Sequence, residues 1–426
     1  MNVAEARAEL DSRQPQRMVP DLARIRALAE LLDNPQLTYP TIQVTGTNGK
    51  TTTARLITDL ACAHGLVTGT YTSPHLTTVT ERLAVCGDAI SDEEFAEEYE
   101  RLQPFLQEVD RRGERVTYFE TLTALAYLWF ADKPVGLGVF EVGMGGTWDA
   151  TNLVRGEVAV LCPISLDHPE LGSTVAEVAT EKAGIVKHGS VAVVREQPDD
   201  ALAVVEDRCE EQGARLLLEG RDWALAGRLQ GVGAQVLHIR GLHETYADVR
   251  LPLLGEHAAR NAAAAVAALE ALLDRPLEKE AVHEALSAAR SPGRMEVIDR
   301  HPLTVLDGAH NPAGAAALAR ALPEAFAWDR LYVVVGVSSN KDIDGIAREL
   351  APLRPSAVYA VRNSSDRSAP AERVAQAVRS AGLAAEALPS VDAALEAARG
   401  LAGETDLILV TGSLYTVADA RTSIVT

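Results

Sequence analysis

Hydrophobic and polar residues are distributed along the chain in two recurring patterns. Short apolar runs such as 137–142 and 157–164 are bounded by glycine and polar residues, as expected for buried strands of a parallel sheet. Segments such as 22–32 and 91–112 instead carry apolar residues about three to four positions apart, which predicts amphipathic helices. Because strand and helix patterns follow one another along most of the chain, the sequence predicts an α/β fold.

The predicted elements cover most of the chain. The predicted strands are 41–45, 67–72, 137–142, 157–164, 191–194, 216–218, 304–306, 331–337, 357–361 and 407–410. The predicted helices are 1–34, 50–63, 91–112, 117–130, 258–273 and segments that begin at 174, 312, 342 and 370. A glycine-rich alternating stretch at 227–241 predicts antiparallel hairpins.

A domain boundary is expected at Ser291-Pro292-Gly293-Arg294, because the pattern restarts after it. We therefore predict a large domain at 1–292, with a mostly parallel sheet and a small antiparallel region. For the remaining residues, 293–426, the alternating strand and helix patterns predict a smaller doubly wound α/β domain.

Composition narrows the class of partner. A net charge of −20 argues against general attraction to nucleic acid or to an anionic membrane. Neither a secretory signal nor a membrane-spanning run is visible, so we expect a cytoplasmic protein. The four cysteines, Cys62, Cys86, Cys162 and Cys209, are widely spaced without a C-x-x-C pair. We expect them to be reduced, buried thiols rather than disulfides.

The stretch Gly46-Thr47-Asn48-Gly49-Lys50-Thr51 joins the strand 41–45 to a helix. Backbone N–H groups of such a loop, together with the positive end of the helix dipole, bind phosphate oxygens. Lys50 would neutralise phosphate charge, and a threonine hydroxyl after it would reach Mg²⁺. The match to the general phosphate-loop pattern is incomplete, because Val44 stands where the first glycine is required. The alternative is a glycine turn with an incidental lysine.

Polar side chains recur where the predicted strands end. Ser73, Glu141 and His168 each lie at or after the end of a strand, and Lys182 lies on the helix that follows the last of these strands. The carboxyl ends of parallel strands meet at one edge, where open α/β sheets bind ligands. A buried carboxylate such as Glu141 requires a cation, and Mg²⁺ is one candidate. Ser73 is equally consistent with a metal ligand and with a turn residue.

Taken together, these motifs resemble the Mur ligase superfamily and, within it, the folylpolyglutamate synthase and dihydrofolate synthase branch. The motifs occur in the family's order over roughly residues 18 to 420. They are Gly46-Thr47-Asn48-Gly49-Lys50, Thr72-Ser73-Pro74-His75-Leu76, Glu81-Arg82, Glu141-Val142-Gly143-Met144-Gly145-Gly146, Asp149-Ala150-Thr151-Asn152, Leu166-Asp167-His168, Glu181-Lys182-Ala183-Gly184-Ile185, Pro292-Gly293-Arg294 and Asp307-Gly308-Ala309-His310-Asn311-Pro312.

The resemblance implies a set of site residues for ATP, Mg²⁺ and two substrates. For ATP it implies Thr47, Asn48, Gly49, Lys50, Thr51, Asn261, Arg294 and Asp307. For Mg²⁺ it implies Ser73, Glu141, His168 and a carbamylated Lys182. For the pterin-type substrate it implies Met18 to Asp21, Arg82, Thr117, Tyr118, Phe119, Glu120, Trp148, Asp149 and Ala150. The catalytic residues that it implies are Lys50, Lys182 and His310, the last near the incoming glutamate.

Three of these residues also have simpler interpretations. Asn261 and His310 would be helix caps, and Lys182 would be an unmodified lysine that faces phosphate. The chain also departs from the branch's usual pattern: Thr51 replaces a glycine, Thr147-Trp148 replaces Arg-Leu, and Ala258 replaces a glutamine. These departures bear on which substrate the protein binds more than on which reaction it catalyses.

The reaction that the resemblance implies is ATP-dependent amide ligation by a monomer. ATP phosphorylates the carboxylate of dihydropteroate or a folate, and the amine of L-glutamate attacks the acyl phosphate. One alternative is a ligase for peptidoglycan precursors or other amino acids, which Thr51 favours. Another is a nucleotide-dependent switch or binding module without ligase activity.

Overall fold

The structure, a computed structural model, describes residues 1–15, 19–113 and 115–425, and the chain divides into two units. Unit 1 comprises Met1–Gly227, Leu237–Val249 and Arg260–Ala289. Unit 2 comprises Arg228–Val236, Arg250–Ala259 and Arg290–Thr426. Each unit contains an α/β sheet, so the predicted fold class is confirmed.

The large sheet belongs to unit 1. Its strands are β1 (Thr41–Thr45), β2 (Thr68–Tyr71), β3 (Leu83–Val85), β4 (Asp88–Ala89), β5 (Leu137–Glu141), β6 (Val158–Leu161), β7 (Val191–Val194) and β8 (Arg215–Leu218). Their order is β4-β3-β2-β5-β1-β6-β7-β8. The pairings β2–β3 and β3–β4 are antiparallel, and the other pairings in this sheet are parallel.

Strand β1 lies inside the sheet, between β5 and β6, and all five of its residues are buried. Covered on both faces, it carries the nearly continuous apolar and β-branched run that parallel sheets require. Because β2, β5, β6 and β7 run in the same direction, their ends lie at the same edge as the loop that follows β1. This topology brings together side chains that are far apart in the sequence.

Helices cover both faces of this sheet. They are α1 (Val3–Asp11), α2 (Ala23–Leu31), α3 (Lys50–Ala63), α4 (Asp92–Arg112), α5 (Tyr118–Asp132), α6 (Val175–Ala183), α7 (Asp199–Gln212), α8 (Glu256–Leu273) and α9 (Lys279–Ala288). The packed rings of Tyr71, Tyr127, Phe130 and Phe140 fill the core between α5 and the sheet. No helix among the described residues is long and apolar enough to cross a lipid bilayer.

The smaller sheet lies in unit 2. Its strands are β12 (Glu296–Arg300), β13 (Leu303–Leu306), β14 (Leu331–Val335), β15 (Ala357–Val361), β16 (Ala385–Leu388) and β17 (Leu407–Thr411). The order is β12-β13-β17-β14-β15-β16, and only β12 is antiparallel here. The accompanying helices are α10 (Pro312–Ala325), α11 (Ile343–Leu350), α12 (Ala371–Ser380), α13 (Val391–Leu401) and α14 (Leu414–Val425).

A third, three-stranded sheet has the order β11-β10-β9, with β9 (Ala224–Gln230), β10 (Gln235–Arg240) and β11 (Thr245–Leu251). Tight turns join successive strands: the Gly231 amide donates to the Ala234 carbonyl, and the Gly241 amide to the Glu244 carbonyl, each at 2.9 Å. Neighbouring strands joined by such turns are antiparallel, so the predicted hairpins are confirmed.

Several elements differ from the sequence prediction. The expected helix 1–34 is two helices, α1 and α2. The sequence prediction missed α7, α9, α13, α14, β3, β4, β12 and β16. Helix α7 buries only Ala201, Val205 and Cys209, so its apolar signal is weak. Strand β12 has a polar sequence and pairs at a sheet edge, where burial does not impose an apolar run.

The expectation that all four cysteines are reduced is wrong. Cys62 and Cys86 form a disulfide, with their Cα atoms 5.8 Å apart, whereas Cys162 and Cys209 are buried thiols. Cys62 lies in the last turn of α3, and Cys86 lies in the turn between β3 and β4. Pairing of β3 with β2 brings that turn to the end of α3. Sequence spacing does not reveal this tertiary proximity.

Candidate functional site

The loop between β1 and α3 is shaped by two glycines in the left-handed region. Gly46 has φ +141° and Gly49 has φ +93°. A Cβ atom at Gly46 would lie 2.5 Å from the Cβ of Cys162, and one at Gly49 would lie 2.9 Å from Oδ1 of Asn261. Both positions therefore require glycine. Gly49 is the N-cap residue of α3, and it has no side chain that could close the helix end. The backbone N–H groups of the first turn of α3 are therefore placed to bind an anion.

Two lysines converge on this loop. Lys50 Nζ donates to the carbonyls of Gly46 and Thr47, at 3.0 and 3.3 Å. Lys182 Nζ donates to the same Gly46 carbonyl at 2.9 Å. Lys182 is 4% exposed, and burial, reinforced by the charge of Lys50, lowers its pKa to about 7. Two adjacent cations favour an anionic ligand, because an anion relieves their repulsion.

A cleft opens over the loop at this edge of the sheet. It is lined by Gly46, Thr47, Lys50, Gly143, Met144, Ser165, Asp167, His168, Leu171, Val178 and Lys182. His168 is about one-third exposed, and its ring nitrogens lie 3.4 Å from Asp167 Oδ2 and 3.9 Å from Glu170 Oε2. His168 and both lysines therefore line the same cleft.

Glu141 lies beside the phosphate loop at the end of β5. Its Oε1 accepts from the Thr51 hydroxyl at 2.8 Å, and its Oε2 accepts from the Ser73 backbone amide at 3.0 Å. Among the described residues, no group of three or more His, Cys, Asp and Glu side chains is spaced to hold a metal ion. A carboxylate beside a hydroxyl nevertheless suits Mg²⁺, which takes one or two protein carboxylates together with phosphate oxygens.

Asn261 lies in the second turn of α8, because the helix begins at Glu256 rather than at 258. It is therefore too far into the helix for the capping role that the sequence also allowed. Its Oδ1 accepts from Nη1 of Arg195 at 2.5 Å, and its amide lies against Gly49. Sequence analysis missed Arg195, although it follows the apolar strand β7 directly, as other strand-end residues of this site follow theirs.

The predicted pterin-side residues on α5 have structural partners. Thr117 is the N-cap of α5 and forms a capping box with Glu120. Both Glu120 carboxylate oxygens also accept from Arg24 Nε, at 3.1 and 3.0 Å. Asp21 accepts from the Ala23 amide at 2.8 Å before α2 begins, and Met18 lies outside the described residues.

The predicted residues near 148 support the glycine turn after β5. Asp149 is buried and accepts from the Met144 amide at 2.9 Å and from the Thr151 hydroxyl at 2.6 Å. Burial raises the pKa of Asp149, despite these hydrogen bonds. The ring of Phe119 packs so closely on Gly143 that a Cβ there would lie 2.6 Å from it.

Three further predicted residues lie close to this turn or to α5. The Ala150 carbonyl accepts from the Tyr127 hydroxyl at 2.7 Å, and the Trp148 ring packs near Gly145. The Arg82 guanidinium lies 5.4 Å from the ring centre of Tyr118, a cation–π distance. Arg82 also donates to His75 Nδ1 at 3.0 Å, and burial lowers the pKa of His75 to about 4.

The predicted residues of unit 2 lie around the turn that follows β13. Asp307 is buried and accepts from the amides of Met295 and Ala309, at 3.0 and 2.9 Å. Burial raises the pKa of Asp307, and the charge of Arg294 opposes that rise. His310 Nδ1 lies 2.9 Å from the Gly308 carbonyl. The residue that caps α10 is Asn311, not His310 as the simpler interpretation held.

Comparison with known proteins assigns family domains to both parts of the chain. Residues 44–269 match the Mur ligase middle domain, and residues 293–414 match the Mur ligase glutamate ligase domain. The chain is 38% identical to a dihydrofolate synthase/folylpolyglutamate synthase of Mycobacterium tuberculosis, over 97% of this chain and 92% of that protein. It is 30% identical to the enzyme of the same name from Bacillus subtilis, over 98% of each.

A solved structure is similar over almost the whole chain. The Mycobacterium tuberculosis folylpolyglutamate synthase, complexed with ADP and AMPPCP, superposes with a TM-score of 0.94 at 37% identity. The match covers 99% of this chain and 97% of that one.

Proposed function

Because the chain belongs to the dihydrofolate synthase/folylpolyglutamate synthase family of Mur ligases, we propose that it joins L-glutamate to a pterin-type carboxylate at the expense of ATP. The carboxylate belongs to dihydropteroate, to a tetrahydrofolate polyglutamate, or to each in turn. The products are an amide, ADP and phosphate. The substrates are charged molecules that do not cross a lipid bilayer, which supports an enzyme located in the cytoplasm. We also propose that the enzyme acts as a monomer.

One observation carries the proposal: the ammonium groups of Lys50 and Lys182 share the Gly46 carbonyl beside the N-terminus of α3. Backbone N–H groups and two cations together favour a polyphosphate over a neutral ligand. The Glu141 carboxylate and the Thr51 hydroxyl, 2.8 Å apart, lie next to the same loop. A nucleoside triphosphate with a divalent cation is the ligand that matches this set of groups.

ATP solves a chemical difficulty, because a free carboxylate would have to expel oxide when an amine attacks it. Transfer of the γ-phosphoryl group to a carboxylate oxygen gives an acyl phosphate and ADP. In our proposal, Lys50 and the loop amides stabilise the charge on the transferring phosphoryl group. The glutamate amine then attacks the carbonyl carbon, and phosphate leaves from the tetrahedral intermediate as the amine loses a proton.

We propose that Ser73, Glu141 and His168 hold Mg²⁺. The bound ion supplies positive charge next to the phosphate oxygens. Lys182 has two alternative roles: unmodified, it is a cation beside the phosphates, and carbamylated, it adds a carboxylate to this metal-binding set in place of that positive charge. Its pKa of about 7 supports that modification, since only the neutral amine reacts with carbon dioxide.

We propose that two further sets of residues bind the substrates of the ligation. The aromatic residues Tyr118, Phe119 and Trp148, with Arg82 and Asp149, are proposed to hold the pterin portion. The structural roles of Asp21, Thr117, Glu120 and Ala150 support a positioning function for these residues. In unit 2, Arg294 and Asp307 are proposed to serve the nucleotide, and His310 the incoming glutamate.

Product analysis by mass spectrometry tests the proposal. The protein is incubated with ATP, Mg²⁺, L-glutamate and either dihydropteroate or a tetrahydrofolate. We expect the acceptor to gain one or more glutamate residues, with one phosphate released for each. No mass change with either acceptor contradicts the proposed function.

Thr51 favours one competing assignment, because the cell-wall ligases carry a threonine after this lysine where the folate branch has glycine. A third incubation, with a muramoyl precursor and amino acids, tests it directly. Phosphate release in that incubation alone would replace the folate assignment with peptidoglycan synthesis.

A further inference from the structure

A network of charged side chains, buried at Arg195 and Glu219, connects two strand ends to Asn261. Arg195 and Glu219 follow directly after the neighbouring parallel strands β7 and β8, and Arg195 Nε lies 2.9 Å from Glu219 Oε2. Arg260, on α8, places its Nε 2.7 Å from the other Glu219 oxygen and its Nη2 2.5 Å from Glu196 Oε2. The four charges sum to zero, so the network neutralises itself without a ligand.

The Arg195 guanidinium makes one contact that does not serve this charge balance. Its Nη1 donates to Oδ1 of Asn261 at 2.5 Å. An arginine only donates hydrogen bonds, so this contact decides which end of the amide is the oxygen. The two N–H groups of Nδ2 are then the donors that Asn261 offers beside the phosphate loop.

The Asn261 amide lies against the phosphate loop, so its orientation decides which of its atoms faces a ligand there. A Cβ atom at Gly49 would lie 2.9 Å from Oδ1 and 3.2 Å from Nδ2 of Asn261, so the amide lies flat against that glycine. Gly49 is the N-cap residue of α3 and is part of the proposed nucleotide site. An amide that was free to turn would present its oxygen to phosphate as often as its nitrogen.

We propose that Arg195 is a positioning residue that fixes the orientation of Asn261 and thereby raises the affinity for the nucleotide. The inference rests on the proposed function, because the ligand that Asn261 meets is the proposed nucleotide. Arg195 acts through Asn261 and need not contact the ligand. Glu219, whose other oxygen accepts from Arg260, holds the Arg195 guanidinium through its Nε.

Burial supports a fixed geometry rather than a mobile surface contact. Arg195 is 4% exposed and Asn261 is 3% exposed. A bidentate arrangement, with Nε on a carboxylate and Nη1 on an amide, uses the planar fork of arginine. A lysine would keep the charge, but its single nitrogen would not occupy both positions at once.

Calorimetric titration with ADP tests the proposal. We expect Asn261→Ala and Arg195→Met each to weaken ADP binding by about tenfold, the loss expected for one hydrogen bond to an anionic or polar ligand atom. The decisive variant combines both substitutions. If Arg195 acts only through Asn261, the double variant binds ADP no more weakly than Asn261→Ala alone.

Arg13 provides a matched control in the same unit. It is also 4% exposed and is paired with a carboxylate, with its Nη1 3.1 Å from Asp110 Oδ2, but it lies among α1, α4 and α5 rather than at the sheet edge. Arg13→Met is expected to destabilise the fold as Arg195→Met does and to leave the dissociation constant for ADP unchanged. Arg195→Lys, which retains the charge opposite Glu219, serves if Arg195→Met does not fold.

The outcomes separate this inference from the proposed function. Wild-type protein that fails to bind ADP overturns both. If wild-type protein binds ADP but Arg195→Lys and Arg195→Met bind it equally well, only the positioning role is overturned. A loss that persists in the Asn261→Ala background also overturns it. In kinetic assays the proposal requires a higher KM for ATP with kcat and the KM for glutamate nearly unchanged.

Discussion

The two units contain the same local arrangement with opposite chemistry at the start of the helix. In unit 1, β1 leads through a loop with glycine into α3, and in unit 2, β13 leads through another into α10. The N-cap of α3 is Gly49, which has no side chain. The N-cap of α10 is Asn311, whose Oδ1 accepts from the Gly314 amide at 2.8 Å. One helix end is open to a ligand, and the other is closed by its own side chain.

The charges beside the two loops also differ: lysines lie beside the open helix end, and a carboxylate lies beside the capped one. Lys50 and Lys182 lie at the open end, and nearby backbone carbonyls accept from them. At the capped end, two backbone amides donate to the carboxylate of Asp307. Strand, loop and helix alone therefore do not make a phosphate site. The residue at the N-cap and the sign of the charge next to it decide what the loop binds.

Removal of Lys50 is expected to have the largest effect. Lys50→Ala deletes the cation that is proposed to stabilise the transferring phosphoryl group, so kcat falls by about 10²–10³-fold or more. The exposed Lys133, paired with Glu94 at the surface, gives a matched control, and Lys133→Ala keeps full activity. Coupled release of phosphate measures both variants. ATP-dependent ligation that survives in Lys50→Ala removes this lysine from the reaction.

A side chain at the open helix end is expected to have the next largest effect. Gly49→Ala forces a residue with a Cβ to φ +93° and against Asn261, a strain of about 1–3 kcal/mol. ADP affinity falls by about tenfold or more, as calorimetry will show. Gly65→Ala is the control, because Gly65 has φ +78° but open space around its Cα. Equal ADP binding by both variants would refute the open-end account.

The metal requirement is expected to distinguish the two helix ends, since only the open end is proposed to use Mg²⁺. His168→Ala removes a proposed ligand, so the Mg²⁺ concentration for half-maximal activity rises by about tenfold or more. Titration of ligase activity with MgCl₂ measures it, with the exposed His188→Ala as control. An unchanged midpoint takes His168 out of the proposed metal site.

A substitution at the capped helix end is expected to change the free energy of unfolding and not the affinity for ADP. Asn311→Ala leaves the Gly314 amide without its cap and lowers the free energy of unfolding by about 1 kcal/mol. Urea denaturation measures that loss, and calorimetry checks that ADP affinity is unchanged. A large loss of ADP affinity without a loss of stability would show that the two helix ends are not as different as described.

A third lysine, Lys187, tests whether burial alone makes a lysine functional. Its Nζ donates to the carbonyls of Asn152 and Val154, and burial lowers its pKa to about 8. Between about pH 8 and 10.5 the unfolded chain binds more protons, so the free energy of unfolding rises with pH by at most about 1.4 kcal/mol per unit. In Lys187→Met this rise is smaller, and ADP affinity is unchanged.

Chemical denaturation at several pH values measures the slope in wild-type and Lys187→Met protein. An identical slope in both would show that Lys187 is not the group responsible. A loss of ADP affinity in the variant would show that a buried lysine away from the phosphate loop also serves the nucleotide.

Much of the site's location was predictable because parallel strands align their ends. Lys50, Glu141 and His168 follow apolar runs, and each run is recognisable in the sequence as a buried strand. The rule that strand ends share an edge then brings them together without knowledge of the packing. The same rule would have found Arg195, had the short run 191–194 been extended by one residue.

Other features depend on tertiary packing and leave no local signal. The Cys62–Cys86 disulfide requires that β3 pair with β2, which no spacing reveals. The partner of Glu120 is Arg24, from a helix almost a hundred residues earlier in the chain. The simpler interpretation of His310, a cap of α10, does not hold because the cap is its neighbour Asn311, and only the fold shows which of the two adjacent side chains faces the helix.

The proposed reaction requires that the γ-phosphoryl group of ATP, bound at the open helix end, be transferred to a carboxylate. The most direct measurement uses an acceptor whose carboxylate carries ¹⁸O, with ATP, Mg²⁺ and L-glutamate, followed by mass spectrometry of the released phosphate. An acyl phosphate requires that one ¹⁸O atom per turnover pass from the carboxylate to phosphate. Phosphate without ¹⁸O, or label recovered in AMP, would contradict the account.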